Sequence, residues 1–200
     1  GFIRRKDILK LNPKVEYLYF PKKGFINQHT FSITPISVWR PKQGFKLADY
    51  TIITQWSSEL KTTGRIRASL FNRYTYLFDE FDASLSDGLP LPADTDYRYS
   101  TIELEYQSNS RKSFSYRVKP SFGQFFNGSI YTVSTELTLR VQPKLLFTIQ
   151  ARYDRITLPK PYANNDLWLI APRLDVTFSK SIFWATFIQY NSKQDNLGIN

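Results

Sequence analysis

Residues 113–154 read SFSYRVKPSFGQFFNGSIYTVSTELTLRVQPKLLFTIQARYD, and the fold turns on this stretch. One parity carries Phe114, Tyr116, Val118, Pro120 and Phe122, then Tyr131, Val133, Thr135, Leu137, Leu139 and Val141, then Phe147, Ile149, Ala151 and Tyr153. The other carries Ser115, Arg117, Lys119 and Ser121, then Ser134, Glu136, Thr138 and Arg140, then Thr148, Gln150, Arg152 and Asp154. A period of two makes each segment a β-strand with one apolar and one polar face. Here the polar face is charged and the strands are long, with aromatics near their ends, which is the pattern of transmembrane barrels.

Turn residues divide the rest of the chain in the same way. About ten strands are predicted, near residues 12–20, 25–40, 45–59, 65–78, 96–107, 112–126, 129–142, 145–157, 166–178 and 181–193. Residues 196–200 look like the opening of another. The connections alternate between two sets. One set, residues 21–24, 61–64, 107–111, 143–145 and 179–181, is uniformly short. The other holds the long segments 79–95 and 158–166, with residues 41–44 and the Asn127-Gly128 turn. Strict alternation puts the sets at opposite ends of an up-and-down meander, as periplasmic turns and extracellular loops are. The expected fold is all-β: an antiparallel up-and-down meander forming part of a larger transmembrane outer-membrane β-barrel. Residues 1–200 are expected to be one barrel segment truncated at both ends, with residues 1–10 an irregular basic lead-in.

Composition narrows the classes. No apolar run approaches the roughly 20 residues of a spanning helix, so any insertion would be by strands. No charged n-region followed by an apolar stretch opens the chain, so no signal peptide is visible. The absence of Cys removes disulfides and thiolate metal sites. The 27 Lys and Arg exceed the 17 Asp and Glu, giving +10, a balance that suits anionic headgroups or a cation-lined interior. Nucleic acid is not an expected partner, because the basic residues alternate along strands instead of forming a block.

Turn chemistry predicts registers. A type I′ turn at Asn127-Gly128 would pair Phe122 with Val133, Val118 with Leu137 and Tyr116 with Leu139. A three-residue turn at Pro143, Lys144 and Leu145 would pair Val141 with Phe147, Leu139 with Ile149 and Leu137 with Ala151. Together these predict a polar row of Lys119, Glu136 and Arg152. The last hairpin would pair Val176 with Trp184, Pro172 with Ile188 and Ile170 with Tyr190. Pro35, Pro120 and Pro172 lie within strands, which predicts bulges. In the first two strands Phe31, Ile33 and Pro35 are answered on the other parity by Ile36 and Val38, which leaves their faces unassigned.

Candidate chemistry is sparse. His29 would need a nucleophile beside it, and neither Ser32 nor Ser37 falls within reach in any assignable register. Glu103 and Glu105 share a strand face at a spacing open to a glycosidase pair, but a lumen of mixed charge explains them more simply. Asp79, Glu80, Asp82, Asp87, Asp94 and Asp96 concentrate carboxylates in the longest loop without the calcium-loop pattern, so a solvated surface loop is expected. Trp39, Trp56, Tyr131, Tyr153, Trp168, Trp184 and Tyr190 could stack sugars, yet their place toward strand ends favours membrane girdles.

An ordered series of short motifs adds a likeness. Ser121-Phe122, Phe126-Asn127-Gly128, Arg140 with Pro143, Tyr153-Asp154-Arg155 and Leu158-Pro159 are followed by Arg173-Leu174-Asp175, Phe178-Ser179, Ile188-Gln189-Tyr190-Asn191-Ser192 and Asp195-Asn196. This series, with the opening Gly1-Phe2-Ile3-Arg4-Arg5, resembles a β-barrel domain of unknown function in large outer-membrane proteins of Bacteroidota. That domain usually follows a sandwich like the family-9 carbohydrate-binding modules, which has no counterpart here. Some members are labelled hydrolases, but no catalytic residues carry over, and neither an enzyme activity nor a cofactor is expected.

The leading expectation is an integral outer-membrane barrel whose interior lines or packs a passage for solutes or a secreted polypeptide. Arg117, Lys119, Glu136, Arg140, Arg152, Asp154, Arg173 and Asp175 would line the lumen. Tyr116, Val118, Val133, Leu137, Leu139, Phe147, Ile149, Val176 and Trp184 would face lipid. Outer-membrane lipid is the expected partner, with other outer-membrane transport or secretion proteins as further candidates. The alternative is a non-conducting anchor for a surface carbohydrate-binding module or an accessory subunit of a transport or secretion complex. A soluble β-protein that binds a ligand within its sheets is the third reading.

Overall fold

A computed structural model describes residues 7–193 and 196–199, and these form one antiparallel sheet of twelve strands. In chain order they are β1 (Leu9–Leu11), β2 (Val15–Tyr19), β3 (Ile26–Arg40), β4 (Lys46–Leu60), β5 (Arg65–Leu77) and β6 (Thr95–Gln107), then β7 (Phe114–Phe125), β8 (Gly128–Val141), β9 (Leu145–Thr157), β10 (Asn165–Thr177), β11 (Phe183–Asn191) and β12 (Asn196–Ile199). The one helical element among the described residues is the 3₁₀ turn Pro41–Gln43. Each strand from β3 onward pairs with the next in sequence, so the sheet is a meander. It is not closed: among the described residues β12 and the β1–β2 edge do not pair with each other. The opening residues Gly1-Phe2-Ile3-Arg4-Arg5, and Asp195 and Asn200, lie outside the described residues.

The edge of β3 holds two short strands, β2 within the strand predicted near residues 12–20 and β1 starting in the lead-in before it. Leu9 opposite Trp39 and Val15 opposite Ile33 share one register, so β1 and β2 are halves of a single edge strand. Extending that register across the gap sets Pro13 against Pro35, and neither proline has an N–H to give. The basic lead-in expected to be irregular through Lys10 is therefore paired from Leu9 onward. Prolines elsewhere act likewise, by interrupting a ladder instead of bulging it. Beside Pro120 the β6–β7 pairing passes from Glu103–Ser121 to Tyr106–Val118 without changing register. Beside Pro172 the β10–β11 pairing passes from Ile170–Tyr190 to Arg173–Phe187. The shifts of register lie instead between Ile26 and Gln28 and between Val38 and Trp39.

Two hairpins differ from the expected register by two residues, and one agrees. Phe125 faces Gly128, so the turn is Phe126-Asn127 and Tyr116 pairs with Leu137, Pro120 with Val133 and Phe122 with Tyr131. The reason lies in packing. Gly128 is needed where β9 presses close, since a Cβ there would stand 2.1 Å from the Thr157 carbonyl oxygen. Phe126 takes φ 50° in the turn while its ring packs against Tyr97, Tyr99, Phe81 and Phe125. In the next hairpin Val141 pairs with Leu145, Leu139 with Phe147 and Leu137 with Ile149, and Pro143 sits in the middle of the turn. The last hairpin pairs Val176 with Trp184 and Ile170 with Tyr190, as predicted. A slip of two residues keeps every side chain on its own face, so the partners change and the faces do not.

Candidate functional site: a charged sheet face under a folded loop

Alternation and register sort the side chains into two faces. Arg117, Lys119, Glu136, Arg140, Arg152, Asp154, Arg173 and Asp175 share one. Tyr116, Val118, Val133, Leu137, Leu139, Phe147, Ile149, Val176 and Trp184 share the other. The β3–β4 pairing assigns the early strands as well, with Thr30, Ser32 and Thr34 on the charged face and His29, Phe31 and Ile33 on the apolar one.

On the charged face, cations and carboxylates meet in pairs. Arg65 reaches Glu59 at 2.8 Å, Arg67 reaches Glu105 at 3.3 Å, and Lys119 reaches Glu103 at 3.5 Å. Arg152 holds Asp154 at 2.7 Å and Arg173 holds Asp175 at 2.9 Å, each along a single strand. The expected row of Lys119, Glu136 and Arg152 is corrected by the two-residue slips. Lys119 and Arg152 both face Ser134, whereas Glu136 lies between Arg117, 3.9 Å away, and Gln150, which donates to it at 2.9 Å. Glu103 and Glu105 are thus each engaged by a cation. Between these pairs lies a cavity of about 340 Å³ lined by Arg73, Glu103, Lys119, Thr132, Ser134 and Arg152.

The apolar face leaves large side chains open. Ile102, Leu104, Phe122, Tyr131, Leu137, Leu139, Val141 and Trp168 are all exposed. Toward the end of the strands that carries the long connections, Tyr50 stacks on Tyr74 at 5.3 Å, Lys46 lies 3.5 Å from the Tyr76 ring centre, and Arg40 lies 3.9 Å from that of Phe78. Tyr153 meets Trp168 at 4.5 Å and donates to Asp166. At the other end His29 stacks with Tyr19 and Trp56, each at 6.0 Å. His29 also has a serine partner that the sequence did not single out: Ser58 Oγ lies 2.7 Å from Nδ1, and Trp56 Nε1 donates to the same nitrogen at 3.2 Å. Ser58 is 1% exposed, so its hydroxyl is enclosed beside the His29 and Trp56 rings. Ser32 faces Gln55 on the charged face, away from His29.

The longest connection, residues 78–94, corrects the expectation of a solvated loop. It folds back on itself through paired backbone bonds between Phe81 and Leu91, and it buries Ala83, Ser84 and Leu91 almost completely. Its apolar residues form a cluster with Leu77, Ile156 and Leu158, against which Tyr97, Phe125, Ile130 and Leu167 pack. Asn165 donates to the Ser84 carbonyl at 2.9 Å, tying the loop to β10. The loop therefore spans the sheet from β5 to β10 on the charged side. The signal was present in Ala83 and Leu91, set among the acidic residues, whereas Phe81 and Leu89 of the same loop stay exposed. The carboxylates do not converge, and no metal-binding cluster occurs among the described residues. Asp82 instead organises the loop. Burial raises its pKa, but the Ser84 hydroxyl and the amides of Asp87, Ser84 and Leu85 outweigh this and hold it below the usual carboxylate value.

Compared with known proteins, the chain matches no family model, no curated protein and no solved structure.

Proposed function

We propose that the chain is wall of a bacterial outer-membrane β-barrel whose charged face lines a passage for solutes or a secreted polypeptide. One observation carries the reading: a twelve-stranded meander with an ion-paired face and, opposite it, an apolar face left uncovered. Its accessible surface is 13596 Å², against about 9,800 Å² for a folded soluble monomer of this mass. An open sheet exposes both of its faces, and the apolar one is the part that lipid would cover. Aromatic and cationic side chains toward the strand ends fit the two interfaces of a bilayer. Selectivity would then follow from size and from the paired charges of the inner face.

A second reading rests on the loop. Residues 78–94 lie across the charged side at one end, which favours a closed interior and a barrel that anchors another module or docks beside a transport or secretion protein. Conductance in planar bilayers separates the two. Ion passage that increases on deleting residues 82–90 supports a passage with an inward loop; no conductance in either form supports the anchor.

A further inference from the structure

The charge pairing of the inner face has a remainder. Glu59, Glu103, Glu105, Glu136, Asp154 and Asp175 are each held by a cation, and Arg73 and Arg140 are left with no carboxylate partner among the described residues; of the two, Arg73 faces the pocket shared by Glu103, Lys119 and Arg152. Its guanidinium donates to the Thr101 hydroxyl at 2.5 Å and lies 4.5 Å from the centre of the Phe71 ring. The acid whose field reaches it, Glu103, is already engaged by Lys119. Arg73 is half-buried and opens onto the 340 Å³ cavity, where Lys119, paired with Glu103 of the same lining, and Arg152, paired with Asp154, leave Arg73 as the unneutralised charge and Ser121, Thr132 and Ser134 add hydroxyls. A guanidinium withdrawn from water without a counter-charge is costly, and its fork fits a carboxylate or a phosphate.

We infer that this cavity is a binding site for a small oxyanion, a phosphate or a carboxylate, with Arg73 as its principal ligand and Lys119 and Arg152 as supporting cations. The inference rests on the reading of the charged face as a passage lining and gives that lining a preferred solute. The cavity lies directly beneath the folded loop, since Tyr99 and Phe125 line it and also contact Phe126 under the loop cluster. An anion held there would sit at the threshold of the capped end.

The test is calorimetric titration of the full chain in detergent with inorganic phosphate and, separately, with acetate. Saturable binding of either is expected, and which one binds identifies the oxyanion. Arg73→Gln should weaken it by about tenfold or more, while Lys144→Gln, which removes the same charge from a distant turn, should leave it unchanged. If Arg73→Gln loses the β-sheet circular dichroism of the folded protein, Arg73→Lys decides: the charge remains and the fork is lost, so binding should weaken while folding persists. No saturable binding by the folded wild type, or equal binding by the Arg73 variants, overturns the site. Phosphate binding needs no membrane. A protein that binds it but washes out of membranes overturns the barrel reading alone, and a membrane-retained protein that binds neither anion overturns the site alone.

Discussion

Gly128 and Leu139 are the single residues at which the two faces and their register are most exposed to challenge. A Cβ on Gly128 would sit 2.1 Å from the Thr157 carbonyl oxygen and 2.9 Å from the Leu158 Cα, so the β8–β9 ladder must part to admit it. Gly128→Ala should cost about 1–3 kcal/mol, measured as a lower urea midpoint in detergent. An unchanged midpoint would mean that the strands are not packed this closely. Leu139 and Arg140 are neighbours on opposite faces. Leu139→Arg should cost about 2–4 kcal/mol near the bilayer midplane, whereas Arg140→Ala should spare folding. Equal tolerance at the two positions in refolding into vesicles would remove the face assignment.

At the scale of elements, the strands were legible in the sequence because each carries its own period. All ten predicted strands occur, with ends displaced by a few residues, and the eleventh segment begins at Asn196. What was not legible depends on partners distant in the chain. Asn127-Gly128 has the composition of a hairpin turn, yet the approach of Thr157 claims the glycine and a ring cluster stabilises Phe126 in its place. That competition decides the register by two residues and so separates Lys119 from Glu136. The candidate residues of the charged face were legible as a set, from parity alone, while their pairings and the role of Arg73 required the register. The packing of the longest loop was missed for a related reason: its polar residues describe its surface, and its buried face is defined by Ile156 and Leu158, distant in the chain. Leu91→Ala should destabilise the loop by about 2–5 kcal/mol, read as lost amide protection at residues 81–91.

The same loop has a defined response to acid. The folded-state pKa of Asp82 is lowered, so its contribution is present above its ordinary value of about 3.9 and is lost as pH falls through the lower folded value. Amide protection of Asp87 and Ser84, corrected for intrinsic exchange, should hold from about pH 6 to pH 4 and decline below. In Asp82→Asn it should be weak across the whole range. A variant as well protected as the wild type at pH 6 would show that this carboxylate does not organise the loop.

For the whole molecule, the decisive quantity is the surface left uncovered. An open meander of twelve strands with few fully buried apolar residues cannot supply from its own packing the burial that normally offsets chain entropy. In the proposed reading its apolar face is covered by a bilayer, with the aromatics and cations at the strand ends at the two interfaces. Among the described residues the edges at β1–β2 and β12 do not pair with each other, so the sheet is open. The measurement that bears most directly on this account is the fraction of the full-length protein retained in carbonate-washed outer membranes, paired with its heat modifiability on a gel. Retention, with a folded band that shifts on boiling, is the predicted result. Release into the soluble fraction with no shift would contradict it.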